Sequence, residues 1–206
     1  MLYYNPFESA AINDQKQAWI DRVGAECSAN DIPFFLELVG YEDGTDAKSL
    51  EYARKKPRIV QASTAEFTQS QCLVDVLKVE VPVNLAFVEG TRAFLGTKAY
   101  GRQEAMRLLR GAAEVATKPF IYLSGGVSNA EFVESLELAA ETGVKFSGVL
   151  CGRATWKDGI PVYQKNGMEA FRLWLKEEGV RNILRVNQAS RAATPWDGIY
   201  GVESAA

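Results

Sequence analysis

The chain has 206 residues, 47% hydrophobic, 11% aromatic and 24% charged, enough to bury a sizeable core in a single domain spanning residues 1–206. With 0 histidines, it has no Ser/Cys-His pair, His-ligated zinc or imidazole acid/base to offer. Lys+Arg of 23 against Asp+Glu of 26, net charge -3, argue against a nucleic-acid surface, while local clusters still suit small anions.

Cys27, Cys72 and Cys151 are odd in number, widely spaced and set in apolar surroundings, which reads as reduced thiols. No stretch approaches the roughly 18 apolar residues of a membrane span, and Met1-Leu2-Tyr3-Tyr4 lacks the basic start of a signal peptide. A cytoplasmic chain without membrane partners is expected.

In chain order, Leu2 to Tyr4 reads as a strand stub. Ile12 to Cys27 carries apolar residues at helical spacing, and Phe34 to Val39 is a compact apolar strand interrupted at Glu37. Asp46 to Gln69 reads as a helix broken at Pro57, followed by a strand from Val74 to Val81 that stops before Pro82. Arg102 to Ala116 is an amphipathic helix, and Phe120 to Leu123 a strand. Ser128 and Glu131 form a capping box opening a helix to about Thr142, before a strand from Phe146 to Leu150. Helices near Met168 to Glu178 and Val180 to Ala192 close the chain.

Apolar strands alternating with helices predict an α/β fold with a parallel sheet. No dinucleotide or Walker signature follows any strand. The pattern supplies five strands, whereas a closed (β/α)8 barrel needs eight. Two exposed edges then favour insolubility or association, with a homo-oligomer as the form that covers them.

Lys78 lies within Val74-Asp75-Val76-Leu77-Lys78-Val79-Glu80-Val81. A desolvated lysine can add to a ketone and form a Schiff base. The alternative is a structural ion pair between Lys78 and Glu80, two apart on one strand face. Glu37 interrupts its strand similarly: it either moves protons for the carbinolamine, or caps the strand end or pairs with a lysine. Ser124-Gly125-Gly126 follows one strand and Cys151-Gly152-Arg153 the next; glycine turns there let backbone N–H groups meet a phosphate. Gly90 to Gly101, with Arg92, Lys98 and Arg102 around it, reads either as a solvated loop or as a lid over a second phosphate. Together these residues describe a metal-free, cofactor-free Schiff-base lyase acting on a phosphorylated ketose.

Several segments, in order, resemble the class I tagatose 1,6-bisphosphate aldolase family, of the DeoC/LacD type that includes deoxyribose-phosphate aldolases. They are Ile32 to Glu37, Val74 to Asn84, Val88-Glu89-Gly90, Leu123 to Ser128, Gly148 to Trp156, and Ala193-Thr194-Pro195-Trp196. The resemblance implies a partial (β/α)8 TIM barrel made of strands four to eight with flanking helices, because Met1 to Tyr4 aligns inside the fourth strand and strands one to three lack a counterpart. It implies Lys78 as Schiff-base lysine, Glu37 as proton-transfer carboxylate, and Ser124, Gly152 and Arg153 as phosphate ligands. Gly125 stands where alanine is common in the family. The implied reaction cleaves D-tagatose 1,6-bisphosphate to dihydroxyacetone phosphate and glyceraldehyde 3-phosphate. Two alternatives stay open: an inactive fragment that only binds phosphate, or an aldolase for another ketose phosphate such as a sulfofructose phosphate.

Overall fold

The computed structural model describes residues 1–201. Strand β1 (Leu2–Tyr4) is followed by α1 (Ala10–Ala29), β2 (Phe35–Gly40), α2 (Leu50–Phe67) and β3 (Val76–Glu80). Short strands β4 (Val88–Glu89) and β5 (Tyr100–Gly101) precede α3 (Arg102–Glu114), β6 (Phe120–Leu123), α4 (Asn129–Glu141) and β7 (Val149–Leu150). The rest is helical: α5 (Arg153–Trp156), α6 (Ile160–Trp174), a π-helical turn at Leu175–Gly179, α7 (Val180–Ala189) and α8 (Trp196–Tyr200).

The main sheet runs β1-β2-β3-β6-β7, every pair parallel. Its spatial order never reverses, so it has no topological switch point. That is the order of a barrel sector, not of a doubly wound sheet. Five strands leave the sector open, with β1 and β7 at its edges.

The register separates two faces. Leu36 on β2, Leu77 on β3 and Phe120 on β6 stand in one row, and all three are buried. With Leu38, Val79 and Tyr122 they join one core that includes Ile20 of α1, Phe67 of α2, Leu109 of α3 and Leu136 of α4. Each fully buried side chain of this kind contributes about 1.5–3 kcal/mol. The opposite face carries the row Glu37, Lys78 and Ile121. Its outlying members Phe35 and Leu150 remain exposed, as expected where no facing strands fill the interior.

Local chemistry sets most boundaries. Ser49 Oγ accepts the Tyr52 N–H at 3.1 Å and starts α2, and Ser128 Oγ accepts the Glu131 N–H at 3.1 Å and starts α4. Pro57, expected to break its helix, instead lies inside an uninterrupted α2 with its ring buried, so packing offsets one lost main-chain bond. The last strand is shorter than the apolar run from Phe146 suggests. Ser147 N–H and Gly148 C=O bond to β6, but Gly148 at φ +149° interrupts the ladder, leaving Val149–Leu150. The helix expected from Met168 begins instead at Ile160, with Pro161 in its first turn, and is interrupted at Gly167, φ 80°. No helix among the described residues is long and apolar enough to cross a membrane. All three cysteines are free thiols.

Candidate active site

The strand register places Glu37 directly opposite Lys78, and parallel partners project to the same side of a sheet. Lys78 Nζ lies 3.0 Å from Glu37 Oε2, with side-chain exposures of 14% and 27%. The pair is thus sheltered yet reachable from the open face. An amine this close to a carboxylate has a proton acceptor in place when it becomes a nucleophile, and a donor when a hydroxyl must leave.

Lys78 does not pair with Glu80, contrary to that alternative. Glu80 Oε2 accepts the Gly40 N–H at 2.8 Å, and its Oε1 lies 3.1 Å from Lys56 Nζ. Glu80 therefore ties the end of β2 to β3 and α2. Lys56, on a helix 24 residues upstream, gave no sequence signal for this role.

Beyond the site, Ser124, Gly125 and Gly126 form a turn in which Val127 N–H donates to Ser124 O at 3.2 Å. Gly125 and Gly126 sit at φ +59° and +81°, where glycine is favoured. The Arg153 guanidinium lies against Gly126: a Cβ added there would be 3.4 Å from Arg153 Cζ. The two glycine turns that follow β6 and β7 are therefore brought together, with a cation over one of them. Gly152 leads into the short α5. Burial pushes the neighbouring Cys151 thiol up from its ordinary value, so it adds no negative charge beside the turn. Ser124 lies three residues further along its strand than Ile121, the partner of Lys78; strand spacings put it about 11 Å from the lysine. That span suits a sugar phosphate with its carbonyl at one end and its phosphate at the other.

Lys157 escaped the sequence reading. Its Nζ donates to Gly126 O at 2.6 Å. The available signal was its position four residues after Arg153, one helical turn on.

The Gly90 to Gly101 segment places its cations elsewhere. Arg92 engages Glu134 and Glu137, Lys98 pairs with Glu89 at 2.6 Å, and Arg102 with Glu141 at 2.6 Å. Glu134, Glu137 and Glu141 all belong to α4, so these contacts fasten the segment to a helix, and β4 pairs with β5 within it.

A cavity of 770 Å³ opens at the other end of the sheet. Pro33, Phe35, Asp75, Val76, Trp196 and Tyr200 are among its walls. Lys118 also lines it and donates to Val74 O. Burial lowers the Lys118 amine from its ordinary value, with Asp75 and Cys72 opposing.

An opposed lysine and carboxylate on the open face of a parallel five-strand sheet, with glycine turns at the ends of β6 and β7, make up an α/β site of the barrel-sector type. Residues 1–158 match the family model "DeoC/LacD family aldolase", and the chain belongs to that family. It is 47% identical over 203 residues to tagatose 1,6-diphosphate aldolase of Listeria monocytogenes serotype 4a (strain HCC23), covering 98% of this chain and 60% of that protein. The Lactococcus lactis subsp. lactis enzyme of the same name is 46% identical over 198 residues, 95% of this chain and 60% of its own. Tagatose 1,6-diphosphate aldolase 1 of Enterococcus faecalis (strain ATCC 700802 / V583) is 47% identical over 193 residues, 93% and 58% respectively. The chain thus spans about 60% of the length of the relatives it matches.

Proposed function

We propose that this chain carries the Schiff-base centre of a class I ketose-bisphosphate aldolase that cleaves D-tagatose 1,6-bisphosphate. The observation that carries the reading is the 3.0 Å Lys78–Glu37 contact on the face that leads to the glycine turns. Lys78, as a neutral amine, adds to the C2 carbonyl of the ketose. Glu37 takes the amine proton and returns one to the carbinolamine hydroxyl, which leaves as water and gives an iminium ion. Loss of the C4 hydroxyl proton then breaks the C3–C4 bond, releasing glyceraldehyde 3-phosphate. The electron pair moves into an enamine, which is protonated at C3 and hydrolysed to dihydroxyacetone phosphate and free Lys78. Ser124, Gly125, Gly126, Gly152 and Arg153 hold a phosphate, and Glu80 keeps the ends of β2 and β3 in register.

A metal-independent reaction in the cytoplasm, by a single domain that covers its sheet edges through homo-oligomerisation, completes this reading. A coupled assay for dihydroxyacetone phosphate, run on D-tagatose 1,6-bisphosphate with a chelator present, tests it. Release that survives chelation and disappears in Lys78→Met is expected; absence of release from the folded chain overturns turnover. The uncovered inner face and the 60% span of the relatives favour one second reading, a chain that binds phosphate at the glycine turns without cleaving sugar. Phosphate binding without release in that assay selects it.

A further inference from the structure

The Ser124–Ser128 turn presents an electrostatic problem to any anion that approaches it. Glycine permits either orientation of a peptide plane, and a carbonyl oxygen turned toward a phosphate would repel it. Among the described residues, the N–H groups of Gly125 and Gly126 make no main-chain hydrogen bond, whereas Val127 N–H is already used by Ser124 O. The donors open to an anion are thus the two glycine amides, provided that the Gly126 carbonyl stays turned away.

Lys157 Nζ donates to that carbonyl at 2.6 Å. It reaches back from the turn that follows Arg153, whose guanidinium packs against the same glycine. Lys157 forms no ion pair among the described residues. Burial holds the Glu131 carboxyl above its ordinary range, with Lys56 and Lys157 opposing the shift. Lys157 Nζ is thus held by the Gly126 carbonyl, with no carboxylate at ion-pair distance among the described residues. A charge-assisted hydrogen bond of this kind is roughly twice as strong as a neutral one.

We infer that Lys157 is a positioning residue for phosphate recognition: by holding the Gly126 carbonyl it aims the Gly125 and Gly126 N–H groups at the anion. This inference rests on the phosphate-binding part of the proposed function, and it concerns binding separately from carbon–carbon cleavage.

The test compares Lys157→Met and Lys157→Arg with the unaltered chain, each confirmed as folded by circular dichroism. Inorganic phosphate is titrated by calorimetry, and the Gly125 and Gly126 amide resonances are followed without ligand. Lys157→Met is expected to weaken phosphate binding roughly tenfold, as loss of one charged hydrogen bond allows, and to shift both amide resonances before phosphate is added. Lys157→Arg is expected to restore binding to within about threefold, since it keeps charge and reach. In borohydride trapping with dihydroxyacetone phosphate, Lys157→Met should raise the half-saturating concentration about tenfold with an unchanged plateau. Unaltered phosphate affinity in Lys157→Met overturns the inference. So does weakened affinity with unmoved amide resonances, which would make Lys157 a direct ligand. If Lys157→Met does not fold, Lys157→Gln replaces it, and the same two results decide. Absence of any adduct from the unaltered chain counts against the aldolase reading alone, because the calorimetric and resonance measurements still decide the role of Lys157.

Discussion

Two lysines are set differently on the sheet: Lys78 stands mid-strand on β3 beside Glu37 and Ile121, whereas Lys118 precedes β6 at the N-terminal ends of the strands. Lys118 lines the 770 Å³ cavity and has its amine lowered by burial. Its proton-bearing nitrogen, however, is committed to the Val74 carbonyl, and the glycine turns lie at the other end of the strands. Lys78 has a carboxylate 3.0 Å away, and the Gly125–Gly126 turn and Arg153 lie past the C-terminal ends of β6 and β7. Cavity size and desolvation do not define a site by themselves; a proton acceptor and an anion anchor at the right separation do.

The sharpest way to break this comparison is to remove each lysine in turn. Lys78→Met is expected to abolish covalent trapping, a loss of more than about a thousandfold, while Lys118→Met leaves the rate within about twofold; intact-mass kinetics read both. Next in size is Glu37→Gln, which keeps the shape and removes the base. Adduct formation should slow about a hundredfold, measured from the rate of mass increase at saturating dihydroxyacetone phosphate.

The contrast between sheet faces predicts a stability split. Leu77→Ala, in the fully buried row, should destabilise the chain by about 3 kcal/mol. Phe35→Ala, 52% exposed on the other face, should cost under about 1 kcal/mol. Urea titration compares them. The smallest effect concerns pH. Because the Lys118 amine is lowered from 10.5, the unfolded chain binds more protons at this group than the folded one as pH rises through the lowered value toward 10.5. Its contribution to stability therefore increases across that window and is constant below it. The difference in unfolding free energy between the unaltered chain and Lys118→Met should grow in favour of the former as pH rises toward 10.5 and level off at lower pH, by parallel urea titrations.

Much of this was readable in the sequence, for physical reasons. Glu37 and Lys78 interrupt apolar strands, and such interruptions are costly unless paired or used, so each stood out alone. That they face one another depends on register, which is set by where β2 and β3 begin and by the Asp75 carboxylate accepting the Phe34 N–H at 2.6 Å. The assignment of Glu80 failed as an ion pair with Lys78 because spacing along one strand says nothing about a lysine on a packed helix. Pro57 misled because local propensity favours a break there, whereas burial in the tertiary core overrides it. The short last strand misled in the opposite direction: its apolar run is complete, but the backbone at Gly148 leaves the ladder early. The contacts of the Gly90 to Gly101 segment were not legible locally, because the acidic face of α4 that engages Arg92 and Arg102 lies some 40 residues further along the chain.

The most direct measurement is borohydride trapping of the 206-residue chain with dihydroxyacetone phosphate, followed by peptide mapping. A single adduct on Lys78, absent in Lys78→Met and retained in Lys118→Met, is the predicted result. An adduct on Lys118, or none from a chain shown to be folded, would contradict the account.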